Sequence, residues 1–279
     1  QACDALATAG TFASGLQQAF RSDSMTKPMH PGHAAEVGLN AALTAQAGMT
    51  GTPDLLEGEA GFGAALCENP RWDELFEGLG SSWNIEHMTF KNHGCCGHNF
   101  PAIDAVSYLL NEHSIDAEQI EKIRVGGYKA TNEVCRYVHP KTPFEAKFSL
   151  TYTVSARIIL GRVRERAFLE AALSNPKIYA MEDKVELSID PECASKFPLH
   201  RSAKVEIELN DGSTYKHYQH TRHGDPDEPL SDQELLDKFY ELAEPRIGQD
   251  QASALAKEIL GDQAVSVRDL AQYWEKIGF

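Results

Sequence analysis

The stretch AKVEIELNDGSTYKHYQH at 203–220 constrains the fold of this chain more than any other. Apolar and polar residues alternate from Ala203 to Leu209 and again from Ser213 to His220, with Asn210-Asp211-Gly212 between them. Period-two alternation sends one set of side chains to one face of a strand, and a turn ending in Gly supplies the positive φ that a tight hairpin needs. A hairpin commits this region to a sheet. Two further segments alternate well enough to join it, Ile120–Tyr128 (IEKIRVGGY) and Lys184–Ile189. Asn84–Lys91 alternates more loosely, with Ile85, Met88 and Phe90 apolar, and is expected as another strand.

On both sides of this region the period changes. Ala2–Phe20 is rich in Ala, Leu and Gln and reads as a buried helix. Gly32–Ala47 carries Ala35, Leu39, Ala42 and Leu43 at helical spacing, with Gly48 placed to end it. Leu55–Leu66 and Trp72–Leu79 read as shorter helices separated by Asn69-Pro70. Within the mixed region, Ala102–His113 is a helix entered from the HGCCGHNFP turn, and Phe144–Val163 is expected as one long helix. The chain turns helical again after Ser231-Asp232-Gln233-Glu234, which has the form of a capping box. Helix-rich, then mixed, then helix-rich is the order of an α+β protein in which an α/β domain interrupts a helical one. The expected divisions are 1–82 (helical), 83–228 (α/β) and 229–279 (helical return).

Composition excludes several classes of partner. With 26 Lys+Arg against 41 Asp+Glu the formal charge is −15, which argues against nucleic acid and anionic membrane surfaces as partners. An acidic chain can still carry a local basic pocket for a small anion. No apolar run of about 18 residues occurs, so no transmembrane helix is expected. Six cysteines scattered over 279 residues do not form a disulfide framework, which points to a reduced, cytoplasmic setting. Residue 1 is Gln, and the opening QACDALATAGTFASGLQQAF reads as the interior of a helical structure rather than a natural start.

Four segments could carry chemistry. In TKPMHPGHAA, Lys27, His30 and His33 lie in a Pro/Gly-framed loop ahead of a helix N-terminus, where backbone N–H groups and a lysine favour an anion. The alternative is a solvated lysine beside a helix cap. In KNHGCCGH, His93, Cys95, Cys96 and His98 follow Lys91. Adjacent cysteines without a second spaced pair fit zinc poorly, so no metal is expected. A glycine-rich turn placing His98 at the start of the next helix, as acid, base or carboxylate donor, fits better. The other possibility is a structural loop with thiols acting as small hydrophobes. Lys147, Thr151 and Tyr152 can partly share a helix face, although a tyrosine inside a helix is more often a packing residue. His217, His220 and His223 read as an exposed strand end without carboxylate partners. No P-loop, GxGxxG or GxSxG motif supports nucleotide binding or serine-hydrolase chemistry.

Several of these segments together resemble the MmgE/PrpD family. TKPMHPGHAAEVGLNAAL, GMTG, LEGEAGFGAAL, FKNHGCCGHNFPAIDA, KFSLTYTVSARIILGRV and PLSDQELLDKF occur in the family's order. The resemblance implies an all-helical domain with an inserted α/β lid, homodimers, and lyase or isomerase chemistry on a small di- or tricarboxylate without a metal or organic cofactor. The reactions it brings are 2-methylcitrate dehydration, cis-aconitate decarboxylation and iminodisuccinate epimerisation. By motif, Lys27, His98 and Tyr152 take catalytic positions facing the cleft between helical body and lid. Lys27, His30, His98 and Lys91 are expected to bind substrate. The family's chains carry a helical region, with an Asp and further His residues, ahead of the position of Gln1. This sequence is therefore expected to be the C-terminal part of the family's chain. The alternative is a non-catalytic fragment or subunit that needs a separate N-terminal helical half and binds a ligand or partner chain.

Overall fold

A computed structural model describes residues 1–20, 23–261 and 265–274. The chain divides into two compact units, Gln1–Trp83 and Asn84–Phe279.

In the first unit, α1 (Ala2–Thr11) packs against α2 (Met29–Gln46), followed by the short α3 (Phe62–Leu66). The helix expected over Ala2–Phe20 stops at Thr11, and Gly15 follows with φ +113°. A separate 3₁₀ turn occupies Gln17–Phe20. α2 starts three residues before the expected Gly32. Pro28 forms its N-cap and Pro31 falls in the first turn, where the missing N–H has no helical partner to lose. The helix expected over Leu55–Leu66 is reduced to its last turn. Asp54 and Leu55 instead accept backbone bonds from Gly58 and Phe62, each 2.8 Å long, which close tight turns. Trp72–Leu79 forms only a 3₁₀ turn at Trp72–Glu74, followed by turns with positive φ at Gly78 and Gly80. Trp72 packs against Gly63, where a Cβ would come within 2.4 Å of the indole ring.

The second unit is built on α4 (Phe100–His113) and a four-stranded sheet among the described residues. After β1 (Ile120–Gly127) the chain runs through five helices before returning to the sheet. These are α5 (Lys129–Val134), α6 (Pro143–Lys147), α7 (Leu150–Leu160), α8 (Glu170–Leu173) and α9 (Pro176–Glu182). Then come β2 (Val185–Ile189), α10 (Pro191–Lys196), β3 (Ala203–Leu209) and β4 (Thr214–Gln219). The spatial order is β2-β1-β3-β4, with β1 and β2 parallel and the other pairs antiparallel. The expected hairpin forms, with Gly212 at φ +86°. Ala203, Val205, Ile207 and Leu209 of β3 bury one face with Ile123 and Val125 of β1 against Ala102, Val106 and Leu109 of α4. Each large apolar side chain so buried stabilises the fold by about 1.5–3 kcal/mol.

Asn84–Lys91 is not a strand. It begins with a 3₁₀ turn at Asn84–His87, and beyond that Phe90 N–H bonds to Gly224 O at 2.8 Å. Alternation without a neighbouring edge to pair with leaves Ile85, Met88 and Phe90 exposed. The long helix expected over Phe144–Val163 is two helices. Ser149 adopts extended backbone between them, and its Oγ accepts from Tyr152 N–H to cap α7. The chain closes with α11 (Asp232–Ile247), α12 (Gln249–Leu260) and α13 (Val267–Trp274), and the capping box of Ser231 and Glu234 forms at the start of α11. No helix among the described residues is long and apolar enough to cross a membrane.

Candidate functional site

The HGCCGH turn enters α4 as the glycine spacing predicts. Gly94 N–H bonds to Val163 O at 2.8 Å and Cys96 N–H to Lys147 O at 2.9 Å, which pins the turn against α6 and the end of α7. Cys95 is buried in a cluster with Phe100, Ile103 and Tyr152. Burial pushes its thiol pKa up, and so it remains a protonated small hydrophobe.

His98 is half-buried two residues before α4. Its Nδ1 lies 2.7 Å from the Tyr128 hydroxyl, and Tyr128 stacks in turn on Phe197 with ring centroids 4.4 Å apart. Two arginines approach from the segment just ahead of β3 and from the loop after β4. A Cβ placed on Gly97 would meet Arg222 Nη1 at 3.2 Å and Arg201 Nη1 at 3.3 Å, so both guanidinium groups converge where this glycine has no side chain. Burial, then the charges of Arg201 and Arg222, push the His98 pKa down to about 4. The fold makes it neutral near pH 7, able to accept a proton at one ring nitrogen or to donate from one, according to the tautomer.

Arg222 is held by Asp225, which accepts from its Nε at 2.9 Å and from Nη2 at 2.5 Å; Nη2 also donates to Thr89 Oγ at 2.7 Å. Burial opposes charge on Asp225, but the bonds from Arg222, Thr89 and Thr221 outweigh it and hold its pKa at about 2. Arg201 has no such support. Among the described residues it makes no hydrogen bond and no ion pair.

The neighbouring residue in the chain faces a second polar cluster. His223 N–H donates to Asp104 Oδ2 at 3.0 Å, its Nε2 lies 2.7 Å from Glu234, and Asp104 Oδ1 lies 2.8 Å from His93 Nε2. This corrects the reading of His223 as a strand end without carboxylate partners, since Asp104 and Glu234 come from distant helices. Burial works against charge on His223, yet Glu234 and Asp104 outweigh it and raise its pKa. Asp104, Ser107, Arg157 and Glu234 line an adjoining cleft of about 470 Å³. His217 instead stacks on Tyr108, with centroids 4.0 Å apart, and His220 is exposed.

The other residues singled out in the sequence fall in several places. Lys27 is exposed in the turn ahead of α2, and half-buried His30 lies in its first turn, both in the first unit. Lys91 is exposed. Tyr152 is fully buried in the core of the second unit, its hydroxyl donated to Ala167 O at 2.7 Å and its pKa pushed up by burial. That is the packing role the sequence held open. Lys147, Thr151 and Tyr152 do not share a face. Lys147 ends α6 and its ammonium lies over the Phe168 ring, while Thr151 bonds to Glu182 at 2.6 Å. Sequence reasoning passed over Tyr128, Arg201 and Arg222, which no motif joins to His98.

The mixed sheet backed by helices makes this an α+β protein, with His98 set in the turn beside Gly97, on which two arginines converge. The chain belongs to the MmgE/PrpD family. Residues 93–262 match the MmgE/PrpD C-terminal domain, and residues 1–75 match the MmgE/PrpD N-terminal domain. Both domains are therefore represented, which corrects the expectation of the C-terminal part alone. Cis-aconitate decarboxylase of Homo sapiens is 28% identical over 245 residues, covering 84% of this chain and 49% of that protein. Cis-aconitate decarboxylase of Mus musculus is 25% identical over 249 residues, with 83% and 48% covered. The enzyme of that name from Aspergillus terreus is 25% identical over 275 residues, with 92% and 56% covered. The chain spans about half the length of these relatives.

Proposed function

We propose that this protein acts as a lyase on a small tricarboxylate, with decarboxylation of cis-aconitate or a closely related acid as its reaction. The observation that carries this reading is His98, half-buried and kept neutral beside Gly97, on which two guanidinium groups converge. The names of the relatives supply the reaction. Decarboxylation breaks a C–C bond, releases CO₂ and leaves an electron pair that spreads toward a neighbouring carboxylate and must then take up a proton. Fixed cations stabilise that developing charge, and a neutral imidazole can relay the proton, releasing its N–H from one ring nitrogen as the other takes a proton from solvent. Dehydration of a citrate-like acid or epimerisation would start from the reverse transfer, a proton leaving a carbon beside a carboxylate.

In this reading His98 is the proton-transfer group, with Tyr128 positioning its ring. Lys27 keeps the role the family resemblance gives it, a charge-assisted bond to a substrate carboxylate. His30 and Lys91 remain candidate substrate contacts on the same ground. Tyr152 is assigned to the core rather than to proton donation. A cytoplasmic setting is supported by six cysteines that form no disulfide among the described residues, and homodimeric assembly rests on the resemblance alone. The experiment is a product analysis with cis-aconitate, 2-methylcitrate and iminodisuccinate as separate substrates. CO₂ released from cis-aconitate, and lost in Lys27→Ala with the fold intact, is the expected result. Alkene formed from 2-methylcitrate or inversion of iminodisuccinate would move the reaction elsewhere in the family. No turnover of any of the three would favour the non-catalytic alternative.

A further inference from the structure

We propose that Arg201 and Arg222 together receive one carboxylate of the substrate beside His98, with Arg201 the residue that sets affinity for it. This deepens the reading above and rests on it for the class of ligand. The two guanidinium groups have unequal support. Arg222 is neutralised by Asp225, which grips it from two directions and leaves Nη1 turned to the space over Gly97. Arg201 brings its own Nη1 to the same space, with no hydrogen bond or ion pair among the described residues.

A half-buried cation without a counter-charge of its own among the described residues costs desolvation, and a second cation beside it adds repulsion that Asp225 offsets for Arg222 only. The chain has 41 acidic side chains, so the lack of one at Arg201 is not for want of carboxylates. An incoming carboxylate has the charge and the planar pair of oxygens that two guanidinium edges satisfy. Gly97 leaves the approach open, since a Cβ there would crowd both Nη1 atoms. His98 follows Gly97 directly in the chain, so a carboxylate held in this space brings the substrate carbon next to it within reach of the imidazole.

The test is calorimetric titration of the 279-residue protein with tricarballylate, an unreactive tricarboxylate, and separately with inorganic phosphate. The parent should bind tricarballylate more tightly than phosphate, and Arg201→Gln should weaken tricarballylate by about tenfold or more, as expected for a lost charge-assisted bond. Arg201→Lys, which keeps the charge but not the fork, should fall between them. Thermal unfolding of ligand-free Arg201→Gln should be no lower than that of the parent, because no internal partner is lost. Gly97→Ala should weaken binding as well. The proposal is overturned if the parent does not bind tricarballylate, if phosphate binds as tightly, or if Arg201→Gln binds like the parent. Turnover of cis-aconitate with an unchanged KM in Arg201→Gln would overturn the clamp and leave the lyase assignment standing. Arg201-dependent binding without turnover would keep the clamp and overturn the reaction.

Discussion

At the scale of single residues, the candidate site and the core can be separated by asking where each polar atom is spent. The Tyr152 hydroxyl is spent on Ala167 O inside the core, whereas the Tyr128 hydroxyl is spent on His98. Tyr152→Phe should lower stability by about 1–2 kcal/mol, because a buried carbonyl loses its donor, and leave kcat within about twofold. Denaturant unfolding and turnover measured on the same preparation check this, and loss of turnover at unchanged stability would return Tyr152 to the chemistry. His98 and its turn were legible in the sequence, since glycines on both sides of adjacent cysteines dictated a loop entering a helix. Its neutrality was not. That depends on burial first and then on Arg201 and Arg222, which stand far from it along the chain and reach it only once β3 and the loop after β4 are in place. The same holds for His223, whose carboxylate partners sit on α4 and α11.

At the scale of elements, the loop from Thr221 to Asp225 joins both polar clusters, with Arg222 turned to Gly97 and His223 to Asp104. Asp225 organises it, accepting from Thr89, Thr221 and Arg222. With its pKa depressed to about 2, Asp225 contributes stability that is full above its unfolded value near 4 and is lost as pH falls through about 2. Asp225→Asn should cost about 2 kcal/mol or more at pH 7, and the difference from the parent should shrink as pH falls from 4 toward 2. Urea unfolding at pH 7 and near pH 3 reads both, and a pH-independent difference would contradict the role given to its charge. Strong local signals predicted their elements well here. The Asn-Asp-Gly hairpin, the Ser231–Glu234 box and the helix from Phe100 all formed. Elements judged by composition or loose alternation fared worse. Asn84–Lys91 had no sheet edge to join, and Phe144–Val163 hid a serine whose hydroxyl caps a new helix at Ser149.

At the scale of the molecule, the two units differ in how much apolar surface they bury. The second encloses the sheet and α4 around Ile103, Ile123, Leu150 and Ile207, none more than 1% exposed. In the first, the buried apolar residues are Ala7, Ala41 and Ala45 among those described, while Leu39, Leu43, Phe76 and Leu79 are more than half exposed. That contrast leaves the most enclosed of the candidate residues in the second unit. The charge of −15 sharpens the demand on the proposed site, because a polycarboxylate would have to be met by local positive potential against the field of the chain, which Arg201 would supply beside the Arg222–Asp225 pair. The most direct measurement is turnover of cis-aconitate by the parent and by His98→Gln, with tricarballylate affinity determined for both. A loss of turnover of about a hundredfold or more, with affinity changed by less than a few-fold, is expected of a proton-transfer group. Turnover by His98→Gln equal to that of the parent would contradict the central place given to His98.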